Sequence, residues 1–177
     1  MAATVTADGL PEGRLGSLNG MDETEIAAAI EEVRTDPARA EYHPQLVAEW
    51  VGADRSRARI SGKTLEVNGP GQMDPMQLVL AALASCEIDV IVTHATLMGV
   101  AIEALEVHVD AHFDVRTYLG LDGPPPGYDR LSLEVRLRAP GITQEQIRRL
   151  QDAIERYSPV GATLTNGVPI AAHIRMV

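Results

Sequence analysis

The sequence predicts an α+β fold with antiparallel sheets and one central, buried helix. Predicted strands and helices are grouped rather than alternating along the chain, in the order α, βββ, α, ββ, α, β. Two segments, 105–115 and 131–138, alternate strictly between apolar and polar residues, which is typical of paired antiparallel strands with one wet face. A third segment, 75–98, is apolar on almost all sides and predicts the buried helix.

The N-terminal region is predicted to extend a single domain. Residues 1–20 lack hydrophobic periodicity, so we expect a flexible N-terminus there. Residues 21–177 are expected to form one domain whose helical extension covers 21–40. Asp22 can cap the helix of this extension, and Pro37 ends it. Apolar residues at helical spacing predict an apolar stripe on this helix: Ile26, Ala29, Ile30 and Val33.

Three short strands are predicted before the buried helix, at 44–52, 56–61 and 63–69, because turn residues separate three apolar segments. The buried helix then begins at Pro75, and Gly99 is well placed to end it.

After the two alternating strands and the Pro/Gly-rich loop between them (116–128), a further helix is predicted within 141–160. Thr143 and Gln146 have the spacing of a capping box at its start. A short helical turn at 160–167 and a final strand at 168–176 complete the predicted elements.

Composition and charge narrow the function classes. The formal net charge of −10 argues against nucleic acid and against an anionic membrane surface, because both need clustered Lys and Arg. The single cysteine excludes an intrachain disulfide and a Cys-rich zinc site. The chain starts without a secretory pattern, and no uninterrupted apolar run reaches about 18 residues. We therefore expect a cytoplasmic protein that binds neither nucleic acid nor membrane and has no cofactor.

Cys86, the only cysteine, lies in the middle of the apolar helix. Free cysteines are commonly inert and buried, so packing is the simpler interpretation. Asp89 and Thr93 fall near Cys86 around the helix, however, so this face is not purely apolar. An activated thiolate would need an arginine from elsewhere in the chain. Arg55 and Arg57 alternate along a predicted strand, where a solvated face is the simpler interpretation and a contact with the thiolate is the alternative.

The spacing of the histidines argues against a metal site. His94 follows the cysteine by eight residues, about 12 Å along the helix, which is too far for a Cys–His nucleophile pair. His108 and His112 lie about 13 Å apart along one strand, too far to share a metal ion. Arg136 and Arg138 on the neighbouring strand are expected to form ion pairs with its acidic side chains. No metal site is therefore predicted.

Four groups of residues resemble the OsmC/Ohr family of thiol-dependent hydroperoxide reductases. The stretch GPGQMDPMQLVLAALASC resembles the family's Pro-to-Cys helix, and GVAIEALEVHVDAHFD resembles the strand that follows it. The stretch IERYSPVGATL resembles the family's second motif, in which a cysteine precedes a proline. LNGMDETEIAAAIEEVRTDPA and RTYLGLDGPPPGY together resemble a branch with a helical N-terminal extension and a long hairpin loop. The resemblance covers about residues 18–177.

The resemblance implies the OsmC-like fold and an intertwined homodimer, with Cys86 as the peroxidatic thiol at the subunit interface. It implies that an arginine, here Arg55 or Arg57, holds the thiolate while the thiolate attacks an organic hydroperoxide. A second cysteine would then resolve the sulfenic acid. Ser158 stands at that second position, and Met76 stands where the family carries the glutamate that holds the arginine.

A homodimer is also expected because a helix that is apolar on nearly all sides needs more cover than one small chain offers. The expected binding pocket beside the thiol contains residues from both motifs: Met76, Gln77, Asp89, Thr93, His94 and Tyr157.

Two hypotheses for the function follow. The first is a single-cysteine hydroperoxide reductase, in which Cys86 reacts, Ser158 replaces the resolving cysteine and an external thiol completes the cycle. The second is a member of the fold that binds or processes a small apolar metabolite in the dimer-interface pocket without redox chemistry. The residues at Met76 and Ser158 favour the second hypothesis, and the presence of Cys86 favours the first.

Overall fold

Residues 17–176 are described by the structure, which is a computed structural model. The part of residues 1–20 before Ser17 lies outside the described residues, and Leu18–Met21 forms a tight turn. The described chain contains the following helices and strands in order: α1 (Glu23–Thr35), a 3₁₀ helix (Pro37–Ala40), β1 (Val47–Trp50), β2 (Ser56–Ile60), β3 (Lys63–Val67), α2 (Pro75–Leu97), β4 (Ala104–Phe113), β5 (Tyr128–Arg138), α3 (Gln144–Tyr157) and α4 (Pro159–Asn166).

The predicted α+β class with antiparallel sheets is confirmed. One sheet has three strands in the order β1-β2-β3, and the other pairs β4 with β5. Chain contacts divide the molecule into two compact units, with the boundary inside α2. The first unit contains the described residues up to Ala81, together with Gly99–Ala101. The second contains Ala82–Met98 and the described residues from Ile102 onward.

In the first unit, α1 has the predicted cap, and its apolar stripe is not buried. The Asp22 carboxylate accepts a hydrogen bond of 2.8 Å from the Thr24 amide, and the helix ends before Pro37. None of its residues is buried, and Ile30 and Val33 are 46% and 39% exposed. An apolar helix face becomes buried only when another surface covers it, and the described chain leaves this face uncovered.

The central helix α2 begins and ends where the sequence predicts. At its start, the Gln77 amide donates to Asp74 Oδ1 (2.8 Å) and the Asp74 amide donates to Gln77 Oε1 (3.0 Å). At its end, Gly99 takes a φ of +66°, a left-handed conformation that suits glycine. By length and composition α2 could cross a membrane, since its most apolar window has a mean hydropathy of 1.7. A single helix of this kind says little about membrane insertion, because the core helix of a soluble protein can be equally long and apolar.

In the second unit, β4 and β5 show the predicted alternation. Every second residue of β4 is partly covered while its neighbours are exposed, and Leu105 faces Leu137 across the ladder. Glu106 and Arg136 lie opposite each other in this register. The Arg136 guanidinium, however, donates a hydrogen bond of 2.7 Å to Glu134 on its own strand.

The helices α3 and α4 follow on from the sheet. The capping box of Thr143 and Gln146 is confirmed in both of its hydrogen bonds. Ser158 ends α3 and is also the N-cap of α4, which starts at Pro159.

The predicted final strand at 168–176 is wrong. This segment has no strand pairing within the described residues, and Ile170 and Ile174 are more than nine-tenths exposed. A strand exists only where its backbone groups pair with a neighbouring strand, and the alternation in this segment has no partner edge in the described chain.

Candidate functional site

The structure brings the only cysteine and Ser158 together in the second unit. Cys86 Sγ lies 3.4 Å from Ser158 Oγ. Cys86 is partly exposed, whereas Ser158 is buried. The middle of α2 and the junction of α3 with α4 therefore form one site, and its thiol remains open to small reagents.

Ser158 is held in place by two further hydrogen bonds. Its hydroxyl donates to Glu87 Oε1 at 2.7 Å, and its Oγ accepts from the Gly161 amide at 3.0 Å. The second bond is the N-cap of α4. Glycine at 161 allows this close approach, because a Cβ there would lie only 2.8 Å from Ser158 Oγ.

Glu87 is the member of this site that the sequence reasoning missed. It is 1% exposed, and its Oε2 has no hydrogen-bond partner among the described residues. A buried carboxylate oxygen without a partner is energetically costly, so such groups are uncommon unless they serve a purpose. In the sequence Glu87 directly follows Cys86, but a second acidic residue, Asp89, lies two positions further along, so no local signal singles out Glu87.

Two cavities of the second unit have residues of α2, β5 and α3 in their walls. One, of about 360 Å³, has Glu87 and Gly161 in its wall together with aliphatic side chains of α2, β5, α3 and α4. The other, of about 430 Å³, lies between β5, α2 and α3. Its wall is largely aliphatic: Ile91, Leu133, Val135, Leu137, Ile142, Ile147, Leu150 and Ile154.

Two of the predicted pocket residues contact each other near the site. The rings of His94 and Tyr157 stack with centroids 4.9 Å apart and an interplanar angle of 11°. Both help to line a smaller cavity of about 290 Å³ at the end of α2. Thr93 is partly covered and Asp89 is exposed on the same helix.

The remaining predicted pocket residues lie in the first unit. Gln77 is exposed and its side chain caps the start of α2, as described above. Met76 is partly covered. Their role in a pocket stays a prediction.

The two candidate arginines also lie in the first unit. Arg57 forms an ion pair with Glu66 and a second, at 3.3 Å, with Glu49. The hydrogen bond to Glu66 raises the pKa of Arg57, since the carboxylate stabilises the guanidinium charge. Arg55 is exposed in the turn before β2. Contact between either arginine and the thiol stays a prediction.

The histidines of β4 contact acidic side chains. His108 Nε2 lies 3.0 Å from Glu106 Oε2, and His112 Nδ1 lies 2.9 Å from Asp129 Oδ1. The hydrogen bond from His108 lowers the pKa of Glu106. These are the contacts of a solvated strand face.

Comparison with known proteins gives a consistent assignment of the fold. A family model described as OsmC-like protein matches residues 68–173. No match was found among curated proteins.

Solved structures give the same result. An OsmC-like protein from Mycoplasma pneumoniae has a TM-score of 0.61 at 18% identity, covering 72% of this chain and 90% of that one. An OsmC-like protein of unknown function from Vibrio cholerae has a TM-score of 0.57 at 10% identity, covering 71% and 95%. An organic hydroperoxide resistance protein OsmC from Legionella pneumophila has a TM-score of 0.50 at 16% identity, covering 70% and 90%. At these identities the likeness concerns the fold.

Proposed function

Because the chain belongs to the OsmC-like protein family, we propose that it is a thiol-dependent organic hydroperoxide reductase with Cys86 as its single reactive cysteine. The observation that carries the proposal is the 3.4 Å contact between the partly exposed thiol of Cys86 and Ser158, the residue at the position of a resolving cysteine. The similarity to an organic hydroperoxide resistance protein of Legionella pneumophila supports the same reaction class.

The reaction has three balanced steps. Cys86 thiolate attacks the outer oxygen of ROOH, the O–O bond breaks, and the products are a sulfenic acid and, after proton uptake, the alcohol ROH. An external thiol then condenses with the sulfenic acid and releases water, leaving a mixed disulfide. A second external thiol reduces the mixed disulfide and regenerates Cys86. Ser158 cannot form a disulfide, so the reducing equivalents must come from outside the chain.

The proposal includes a cytoplasmic location, since low-molecular-weight thiols are kept reduced there. The cavity of about 360 Å³, which has Glu87 and aliphatic side chains in its wall, suits a hydroperoxide with a hydrocarbon body.

A direct experiment is to mix the reduced protein with cumene hydroperoxide and to follow peroxide loss together with the intact mass. We expect one equivalent of peroxide to be consumed with one oxygen atom added to Cys86, and continuous turnover once a dithiol is supplied. The Cys86→Ser variant is the control and should consume none. Wild-type protein that stays unoxidised in excess hydroperoxide would remove the reductase proposal.

A second candidate function is the binding of a small apolar molecule without redox chemistry. The 430 Å³ aliphatic cavity favours it, because pockets lined mainly by apolar side chains bind apolar molecules. Cumyl alcohol has the body of cumene hydroperoxide without the peroxide bond. Calorimetric binding of this alcohol by a protein whose thiol is inert would support the second function, and a Leu137→Arg variant should then lose that binding.

A further inference from the structure

We propose that Glu87 is the proton acceptor of Cys86 and acts through Ser158, so that the three side chains form a Cys–Ser–Glu proton relay. Glu87 does not touch the sulfur and is therefore a positioning residue for the reactive thiol. The inference rests on the proposed function only for the identity of the molecule that the thiolate attacks.

The hydrogen bonds at Ser158 have a definite direction. The single hydroxyl hydrogen of Ser158 is donated to Glu87 Oε1 at 2.7 Å. One lone pair of Oγ accepts from the Gly161 amide at 3.0 Å. The other faces Cys86 Sγ at 3.4 Å, so the thiol hydrogen is the donor in that contact. In the resting state the Cys86 thiol therefore donates to Ser158 Oγ, and the Ser158 hydroxyl donates to the Glu87 carboxylate.

Moving two hydrogens along this chain converts the thiol to a thiolate. The thiol proton passes to Ser158 Oγ, and the serine hydrogen passes to Glu87. The hydroxyl then donates to the thiolate, and the protonated carboxyl donates to Oγ. No bond to Ser158 is lost, because the Gly161 amide donates to Oγ in both states.

Charge is the reason why such a relay would favour thiolate formation here. If Cys86 lost its proton to solvent, a thiolate and a buried carboxylate would lie on the two sides of one hydroxyl group. Two like charges on the two sides of one hydroxyl group oppose each other, which favours a site that keeps one proton. In the relay a single negative charge moves from Glu87 to Cys86, so the site gains no charge.

Burial of Glu87 also favours transfer of the proton to its carboxyl group. Its Oε2 has no partner among the described residues although the side chain is 1% exposed. A proton received by the carboxyl relieves the cost of keeping an unpaired anionic oxygen away from water. The proton held by Glu87 can then protonate the alkoxide to give the alcohol ROH. Oxidation of Cys86 therefore needs no net exchange of protons with solvent.

Few other titratable groups in the second unit are near this chain of bonds. Asp89 lies on α2, Tyr157 precedes Ser158 and stacks on His94, and Glu155 shares the wall of the 360 Å³ cavity with Glu87. The side chains contributed to that wall by α4 and β5 carry no titratable group.

The test is the pH profile of Cys86 alkylation by iodoacetamide, followed by intact mass. For the wild type we expect the logarithm of the rate to rise, level off to a shelf and rise again, because thiolate formed by proton transfer inside the site does not depend on pH while the site holds one proton. The Glu87→Gln variant keeps an acceptor for Ser158 but cannot take a proton. Its rate should fall about tenfold for each pH unit below neutrality, without a shelf. Asp110→Asn, which makes the same charge change at an exposed residue of β4 outside the cavity walls, should keep the shelf.

Two variants of Ser158 keep the test decisive if Glu87→Gln does not fold. Ser158→Ala keeps the Glu87 charge and removes the bridge, so it should also lose the shelf. Ser158→Thr retains the hydroxyl and should restore it. A wild-type profile without a shelf, or a shelf that persists in Ser158→Ala, overturns the relay.

Iodoacetamide is not a peroxide, so the two proposals fail separately. A shelf without peroxide consumption removes only the reductase proposal. Peroxide consumption without a shelf removes only the relay.

Discussion

Cys86 Sγ and Ser158 Oγ lie 3.4 Å apart, although 72 residues separate them in the sequence. A serine at this distance holds the thiol by a hydrogen bond but cannot trap its oxidised form. The same geometry would let a second thiol do so, because the two side chains already face each other.

The Ser158→Cys variant should form a disulfide with Cys86 after one equivalent of organic hydroperoxide. Serine and cysteine are similar in size, and the present contact needs to shorten only to the S–S distance of about 2.05 Å. Peptide mapping without reduction would identify the linked peptides, and turnover with a dithiol should exceed that of the wild type.

A Ser132→Cys variant, with the new thiol on the exposed face of β5, is the control for that experiment and should give no internal disulfide. If Cys86 is oxidised in Ser158→Cys but remains unlinked, the relationship between the two residues in solution differs from the one described.

Ser158→Ala should destabilise the protein more than the loss of a helix cap alone. Thr143 caps α3 in an exposed setting, so Thr143→Ala should cost about 1 kcal/mol. Ser158→Ala loses the α4 cap and also removes the hydrogen bond to the buried Glu87 carboxyl, a total of about 2–4 kcal/mol. Urea unfolding of both variants gives the comparison, and equal losses would contradict a buried bond at Glu87.

Gly161→Ala tests the close packing around Ser158. In a helix, alanine is favoured over glycine by about 1 kcal/mol. The added Cβ would lie 2.8 Å from Ser158 Oγ, and forcing apart such a contact costs about 1–3 kcal/mol. We therefore expect no stabilisation and a net loss of up to about 2 kcal/mol.

Ala162→Gly, at the next and exposed position of α4, should lose about 1 kcal/mol from propensity alone. A Gly161→Ala variant that unfolds at higher denaturant concentration than the wild type would show that the space beside Ser158 is open.

Acid should weaken the first unit through Glu49. The hydrogen bond from Arg59, with the charges of Arg59 and Arg57, lowers the pKa of Glu49 from its ordinary value of 4.5. A carboxyl whose folded pKa lies below its unfolded pKa stabilises the fold above the unfolded pKa, and this contribution is lost as pH falls through the folded pKa.

Thermal unfolding, measured as the pH falls through the folded pKa of Glu49, should therefore show a smaller loss of stability for Glu49→Gln than for the wild type. The stability curves of the two proteins should converge at low pH. Salt should reduce the difference, because these side chains are partly exposed. Glu155→Gln should run parallel to the wild type, and a Glu49→Gln curve that also runs parallel would rule out this contribution.

The protein is expected to be a homodimer in solution. The apolar helix α2 exposes Ile88 and Leu97, and Trp50 of β1 is also exposed. Surfaces of this kind on a small chain favour association. Light scattering should give about twice 19.0 kDa, and Ile88→Glu should lower that mass while Ser132→Glu should not. A folded wild-type monomer at micromolar concentration would contradict the prediction.

The sequence by itself determined the elements that depend on neighbours along the chain. The strict alternation in β4 and β5 follows from the two-residue period of a strand. The capping box at Thr143–Gln146 follows from contacts three residues apart. The family likeness likewise depends on local spacing, and it indicated both Cys86 and Ser158.

Only the tertiary structure decided which surfaces these elements pack against. Local pattern predicted an apolar stripe on α1 and a strand at 168–176, yet burial and strand pairing need a second surface, and the described chain supplies none there. Glu87 was missed for the converse reason. An acidic residue after Cys86 has no meaning in the sequence until the end of α3, 71 residues away, places the Ser158 hydroxyl against it. That contact depends on how α2, α3 and α4 pack together, which no short-range pattern encodes.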